Sequence, residues 1–233
     1  MAQLSTNIDI KKVFPDTVAT SDSDLRVACL KSKTHNRVCV PAAIPEKCYS
    51  TERVGISAKT HDEHLKLWQG YANKTNELLK AVEDLDKSPS RANQIFSEIR
   101  SIKVDYTFAY QGLANHNNYF QVIGGQGGRP TGRIAQLIEK SYGSIDRWMD
   151  AWKACGMAAR GWVFLAYDPV LDIVTNIIGD AQNTFPLWDH KLVLSMDVYE
   201  HAYFIDFGAA RMKYLEAYMQ CIDWDAVNKF FES

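Results

Sequence analysis

The sequence has few of the features that mark secreted, membrane or nucleic-acid-binding proteins. Its five cysteines are an odd number without a CxxC pair, which favours reduced thiols over a disulfide framework or a zinc site. No uninterrupted apolar run approaches the roughly 20 residues that a membrane span needs. The N-terminus MAQLSTNIDIKK lacks a basic segment followed by an apolar one, as a secretory signal would have. We therefore expect a cytoplasmic protein.

The chain also has no large excess of positive or negative charge. The formal net charge is −2, and the lysines and arginines are scattered along the chain. This argues against nucleic acid or an anionic membrane as a partner. The 233 residues are enough for one or two compact domains with a substantial core.

The first part of the chain differs from the rest. Residues 1–52 mix short polar runs with a few apolar clusters, show no helical period over more than one turn, and end near Pro41 and Pro45. We interpret them as an N-terminal extension that is partly extended and packs on a neighbouring surface, with disorder as the alternative.

Residues 53–123 are predicted to form a helical hairpin. Ser57 is a candidate N-cap of its first helix, and an apolar stripe follows through His64, Leu67, Trp68 and Tyr71. His61 lies off that stripe and is expected to face solvent.

Residues 124–233 are predicted to form an α/β C-terminal domain after the glycine-rich connector 124–133, which lacks the ending of a phosphate-binding loop. Two helices break near Gly143, where Ser144 can cap the second. Three β-rich segments follow, at 161–168, 171–179 and 191–198. The predicted fold class is α+β, a helical hairpin followed by a small three-stranded antiparallel sheet flanked by helices.

The segment DVYEHAY carries the strongest chemical signal. Asp197 and His201 are four residues apart and can turn to one side of a helical turn, where a single cation reaches both. Glu200 can accept the outer ring N–H of a metal-bound histidine, and that histidine need not belong to the same subunit.

Further ligands must come from the other histidines. His35 and His190 lie in irregular or polar segments and are most simply surface residues. Taken alone, His64 could be a hydrogen-bonded core histidine rather than a metal ligand. His116 could likewise be a buried polar residue at a kink or cap. Taken together with Asp197 and His201, they give three imidazoles and one carboxylate, a set that suits iron, manganese or zinc.

These segments resemble the iron/manganese superoxide dismutase family over roughly residues 55–233. DVYEHAYFIDF matches the family's segment around its last two ligands, and ANHNNYF matches the segment of the second ligand. Matches in the same order are ISAKT with HLKLWQGYANKTNEL, GWVFLAYD, GDAQNTFPLW and WDAVNKFF.

The resemblance implies a superoxide dismutase that converts superoxide to oxygen and hydrogen peroxide. One manganese or iron ion per subunit would be bound by four side chains, with solvent as a fifth ligand. Those side chains are His64, His116, Asp197 and His201.

The resemblance also implies roles around the metal. Tyr71 would relay protons at the substrate funnel, and Gln182 would hydrogen-bond the bound solvent, with Gly112 leaving it room. Glu200 would bond the ligand histidine of another subunit, which implies a homodimer or homotetramer. Trp162 would form an aromatic wall, and Arg211 would lie near the funnel.

Several positions depart from the family pattern. His64 and Tyr71 are seven residues apart rather than eight, and Tyr199 replaces the usual tryptophan. Trp68 and Phe204 replace a histidine–tyrosine pair at the subunit interface. The alternatives are a non-catalytic metal-binding or structural homologue and, more remotely, a non-haem iron oxygenase, which would need two histidines, one carboxylate and open coordination positions. The choice between iron and manganese stays open.

Overall fold

The N-terminal part of the chain contains a small sheet. The computed structural model describes residues 43–184 and 187–232, together with three short strands, β1 (Thr17–Val18), β2 (Cys29–Ser32) and β3 (Arg37–Cys39). These strands pair antiparallel in the order β1-β2-β3. The remainder of the predicted extension, His35 included, lies outside the described residues.

Residues Glu46–Val54 form a 3₁₀-helix, which the prediction of an irregular segment up to residue 52 did not foresee. Tertiary contacts hold it. The Cys48 thiol donates a hydrogen bond to the Phe120 carbonyl oxygen over 3.2 Å, and Lys47 pairs with Asp223 over 2.6 Å. Because these partners are distant in sequence, local periodicity could not reveal the helix.

The predicted helical hairpin consists of α1 (Ala58–Asp84) and α2 (Glu98–Val122). The Ser57 hydroxyl accepts a hydrogen bond from the backbone N–H of Thr60 over 3.2 Å, which confirms the predicted N-cap. The Asp206 carboxylate accepts from the Ser57 N–H over 2.8 Å, so a negative charge also lies at the positive end of the helix.

The predicted buried stripe of α1 was wrong at two positions. His61 is fully buried, whereas Leu67 is 40% exposed. The buried face includes His61, His64 and Trp68, and these residues follow a spacing of three and four. The 3₁₀-helix at Glu46–Val54 covers the first turn of α1, where Thr51 contacts His61, and so buries a residue that the stripe alone placed toward solvent.

The second half begins with α3 (Gly132–Tyr142) and α4 (Ile145–Ala158), which break at Gly143 as predicted. Gly143 has a φ of 79°, a conformation that favours glycine. The Ser144 hydroxyl accepts from the Arg147 N–H over 3.2 Å, which confirms the second predicted cap.

The three predicted strands are β4 (Trp162–Asp168), β5 (Ile173–Gly179) and β6 (Lys191–Asp197). They pair antiparallel in the order β5-β4-β6, with Trp162 opposite both Gly179 and Asp197. Three helices complete this half: α5 (Phe204–Phe207), α6 (Arg211–Met219) and α7 (Trp224–Glu232). The α+β prediction is confirmed.

One apolar cluster spans both halves, with Trp68 and Phe120 from the hairpin and Trp162 and Tyr214 from the second half. The predicted limits of the extension and of the two following domains stay a prediction. None of the helices in the described part of the chain combines the length and apolar character needed to cross a bilayer.

Candidate metal centre

Four predicted ligands from distant parts of the chain meet between the hairpin and the sheet. His64 lies in α1, His116 in α2, Asp197 at the end of β6, and His201 in the 3₁₀-helix Glu200–Ala202 that follows. One donor atom from each lies within 4.8 Å of the others. His64, His116 and Asp197 are fully buried, and the His201 side chain is 26% exposed.

The distances between these atoms fit a shared metal ion. Oδ2 of Asp197 lies 3.1 Å from Nε2 of His201, 3.2 Å from Nε2 of His64 and 3.6 Å from Nε2 of His116. Bonds of about 2.1 Å to one metal would separate neighbouring ligand atoms by about 3.0–3.6 Å. Three imidazole nitrogens and one carboxylate oxygen suit iron or manganese in composition.

His116 is held with its metal-facing nitrogen free. Its Nδ1 donates a hydrogen bond to the Gly112 carbonyl oxygen over 2.6 Å, which leaves Nε2 without a proton. Nε2 is buried and finds no hydrogen-bond partner among the described residues. A bound cation would satisfy this lone pair, which is otherwise costly to bury.

The backbone around Asp197 fixes its carboxylate. Its Oδ1 accepts a hydrogen bond from the Tyr199 N–H over 2.9 Å, which leaves Oδ2 for the histidines. The Tyr214 hydroxyl donates to the Asp197 carbonyl oxygen over 2.7 Å, and the Tyr218 hydroxyl donates to the Ser195 carbonyl oxygen over 2.6 Å. The sequence prediction missed these two supporting tyrosines, although their four-residue spacing in α6 indicates a shared face.

The protonation states also suit a metal. Burial lowers the pKa of His116 to about 3 and lowers that of His64, so both imidazoles are neutral near pH 7. Burial opposes ionisation of Asp197, but the nearby His201 and His64 outweigh it and hold the pKa of that carboxyl below its usual range. Burial likewise opposes charge on His201, whose pKa is nevertheless raised by Asp197. The site therefore offers an ionised carboxylate beside two neutral imidazoles, those of His64 and His116.

A chain of three side chains lies beside the ligands. Nε1 of Trp162 donates to Oε1 of Gln182 over 3.0 Å, and Nε2 of Gln182 donates to the Tyr71 hydroxyl over 3.0 Å. Asn115, which the sequence prediction missed, donates to the backbone carbonyl oxygen of Gln182 over 3.1 Å. Hydrogen bonds to both its oxygen and its nitrogen thus fix the Gln182 amide, and Gln182 is only 2% exposed.

The space beside Gly112 is filled differently from the prediction. A Cβ at this position would lie 2.6 Å from the Tyr71 ring, so the glycine makes room for the tyrosine that Gln182 contacts. Tyr71 packs against His116 with ring centroids 5.3 Å apart. The glycine therefore positions the hydroxyl that Gln182 contacts.

The site approaches the surface near His201. A surface depression is lined by Tyr199, the exposed Glu200, His201 and Arg211. Tyr199 stacks on His201 with ring centroids 5.4 Å apart. Arg211 donates to the Ala159 carbonyl oxygen over 2.8 Å and to the Tyr203 hydroxyl over 3.2 Å, so it is a fixed cation at this opening.

The predicted replacements at the subunit interface lie in different environments. Trp68 is 1% exposed, and its Nε1 donates to the Leu113 carbonyl oxygen over 3.0 Å, so it is covered within one chain. Phe204 is 51% exposed. His190 lies away from the metal ligands, with Nε2 3.6 Å from Asp168.

The fold brings three histidines and one aspartate together between a helical hairpin and a three-stranded sheet, in a group that could hold one metal ion. Residues 130–230 match the family model described as iron/manganese superoxide dismutases, C-terminal domain. The chain is 36% identical over 183 residues to "Superoxide dismutase [Fe]" of Aquifex pyrophilus, covering 76% of this chain and 85% of that protein.

A second relative is "Superoxide dismutase [Mn] 2" of Haloferax volcanii, 31% identical over 166 residues, covering 71% of this chain and 79% of that protein. The chain therefore belongs to the iron/manganese superoxide dismutase family. The predicted family and enzyme class are confirmed, and the predicted iron or manganese cofactor agrees with the buried ligand group.

Proposed function

We propose that this chain converts superoxide to oxygen and hydrogen peroxide at one iron or manganese ion, held by His64, His116, Asp197 and His201. The convergence of their four donor atoms within 4.8 Å carries the proposal. The relatives' names include both metals, and the site's nitrogen and oxygen ligands suit either ion. When bound, the ion supplies reversible one-electron oxidation and reduction, which dismutation requires.

Tyr71 is proposed to deliver protons. Burial raises the pKa of its hydroxyl, so the group is protonated near pH 7. Because that oxygen accepts the Gln182 N–H, its own proton remains to be donated into the site. Hydrogen peroxide formation consumes two protons, and a positioned donor speeds such transfers.

Gln182 is proposed to orient the groups that exchange this proton. Its carbonyl oxygen accepts from the Trp162 indole, so its NH₂ group points toward the Tyr71 hydroxyl. The rings of His116 and Trp162 lie 5.1 Å apart and help to keep bulk water out. The positive charge of Arg211 near the ligands would attract an anion such as superoxide.

We further propose a homodimer in the cytoplasm, with a homotetramer as a larger form. Glu200 is exposed beside His201, whose Nδ1 forms no hydrogen bond to another described residue. A carboxylate from a second subunit would satisfy that N–H, as carboxylates commonly do for metal-bound histidines. Cys48, Cys155 and Cys221 are free thiols, which supports a reducing compartment.

Replacement of one ligand tests the function. His116→Ala should lose both bound metal and superoxide dismutation, measured by elemental analysis and by superoxide decay. His190→Ala is the matched control and should retain both, because it lies away from the four ligands. Full activity in His116→Ala would contradict the ligand assignment. A metal-loaded native chain that left superoxide decay unchanged would instead favour the non-catalytic alternative.

A further inference from the structure

Two cysteines lie opposite each other in the N-terminal sheet. The antiparallel register of β2 and β3 pairs Cys29 with Cys39, Leu30 with Val38 and Lys31 with Arg37. Directly opposite residues share one face of the ladder, with Cα atoms about 4.5 or 5.5 Å apart. A disulfide usually joins Cα atoms about 4.4–6.8 Å apart, so the backbone already has the separation that this bond needs.

Two basic residues lie near the cysteines along the two strands. Lys31 is two residues from Cys29 in β2, and Arg37 is two residues from Cys39 in β3. Residues two apart in a strand lie on the same face. The thiolate is the form of cysteine that reacts with oxidants.

The other three cysteines have a different environment. Cys48 and Cys221 are buried, and burial raises the pKa of each thiol to about 12. Each thiol also donates to a backbone carbonyl oxygen, that of Phe120 for Cys48 and that of Tyr218 for Cys221. Burial raises the pKa of Cys155 as well. These thiols are held protonated and are poor nucleophiles.

We propose that Cys29 and Cys39 form a reversible intramolecular disulfide when hydrogen peroxide accumulates. The thiolate of one cysteine attacks peroxide, the O–O bond breaks, and a sulfenic acid and water form. The second thiol then attacks that sulfur, the S–O bond breaks, and a second water leaves as the S–S bond forms. Two thiols lose two electrons and two protons, and one peroxide becomes two waters.

The proposal adds self-modification to the proposed function, on which it rests for the natural source of peroxide. The bond would join β2 to β3, and β3 lies beside α1, the helix that carries His64 and Tyr71. Product accumulation would thereby crosslink two strands of the sheet that lies next to the metal-bearing helix. The expectation of five reduced thiols then describes the chain before exposure to peroxide.

Peptide mapping tests this directly. The reduced, metal-loaded full chain is treated with hydrogen peroxide, the reaction is stopped with catalase, and the unfolded protein is alkylated and digested with trypsin. Arg26, Lys31, Arg37 and Lys47 place the two cysteines in separate peptides, residues 27–31 and 38–47. The expected result is one disulfide-linked pair of these peptides that a thiol reductant separates, with Cys48, Cys155 and Cys221 fully alkylated.

Matched variants sharpen the result. Cys29→Ser and Cys39→Ser should each abolish the linked pair, whereas Cys155→Ser should retain it. The proposal is overturned if both thiols stay free, if oxidation stops at the sulfenic acid, or if either cysteine bonds to Cys48 or to another chain. Because peroxide is added directly, the disulfide can form in a chain without dismutase activity, and a dismutase without the disulfide would leave the proposed function standing.

Discussion

At the scale of single residues, a side chain at position 112 would collide with the ring of Tyr71. The Cβ of Gly112→Ala would lie 2.6 Å from that ring, so the tyrosine must shift to accommodate it. We expect the variant to retain metal but to lose roughly 10-fold or more in superoxide dismutation, since small misplacements of a positioned group are costly.

Gly70→Ala is the control for that experiment. A Cβ at position 70 meets nothing within 4 Å, although the residue is adjacent to Tyr71 in α1. Its helix should gain up to about 1 kcal/mol in stability from the higher helix propensity of alanine. Activity should be unchanged. Equal activity in the two alanine variants would show that the room beside Gly112 has no role in positioning Tyr71.

The buried His61 should make stability depend on pH. Burial lowers its pKa to about 4, from an ordinary value of 6.5, so the unfolded chain binds one more proton than the folded chain between those values. The stabilising contribution is complete above about pH 6.5 and is lost as the pH falls toward 4, at about 1.4 kcal/mol per pH unit.

His61→Gln isolates this contribution. A glutamine amide can still donate to the Thr51 hydroxyl, which lies 2.7 Å from Nε2 of His61. Urea unfolding of the metal-free protein measures the free energy of unfolding between about pH 4 and 6.5. As the pH is lowered, this free energy should fall less steeply in the variant, because the variant lacks the one proton uptake of His61. His64 and His116 contribute to both curves, so the difference reports on His61. Parallel curves would refute the predicted titration.

At the scale of elements, the two N-caps of the α3–α4 pair differ in one hydrogen bond. The Ser144 hydroxyl accepts from the Arg147 N–H, whereas the Thr131 side chain makes no such bond at the start of α3. Ser144→Ala should cost about 1 kcal/mol in the free energy of unfolding, and Thr131→Ala should cost less. Denaturant unfolding measures both, and Ser144→Asp should restore most of the loss. An equal cost at both positions would contradict the capping role.

Elements with strong local signals could be predicted from the sequence. The caps at Ser57 and Ser144, the break at Gly143 and the three β-branched strands all depend on neighbouring residues, and each is where it was expected. The 3₁₀-helix at Glu46–Val54 depends on contacts with Phe120 and Asp223, which are far away in sequence. Burial of His61 follows from that helix, so both were missed for the same reason.

For the candidate site, the ligands could be predicted from the sequence but the contacts that support them could not. The four ligand candidates came from residue type together with the family resemblance, and the chain does bring them together. The contact of Gly112 with Tyr71 and the support from Tyr214 depend on how α2 and α6 pack, which spacing along the chain does not determine. Residue types and the family resemblance therefore predicted the chemistry, and packing determined which groups hold the ligands in place.

At the scale of the whole molecule, the opening at His201 predicts dependence on assembly. A charge-assisted hydrogen bond from His201 to the partner's Glu200 would contribute about 1.5–3 kcal/mol, so Glu200→Ala should weaken dimerisation at least about 10-fold. Sedimentation velocity across a dilution series measures this. Glu139→Ala is the control, because Glu139 is an exposed glutamate elsewhere, on α3. Its dimer should dissociate as the native dimer does. Unchanged association in Glu200→Ala would contradict the proposed contact.

The metal should stabilise the whole chain because its ligands join both halves. His64 and His116 belong to the hairpin, whereas Asp197 and His201 follow the sheet, so the complete ligand set exists only in the folded state. At a free metal concentration of about 100 times the dissociation constant, binding should add about 2.7 kcal/mol to the free energy of unfolding.

Unfolding with and without a chelator, for native protein and for His64→Gln, separates this effect from local packing. His64→Gln loses stability from the altered core in both conditions, but its two unfolding curves should nearly coincide. His190→Gln should keep the full difference between metal-loaded and chelated protein. A native chain with the same stability in both conditions would mean that the four side chains do not bind a metal together, because a ligand bound only by the folded state must raise its stability.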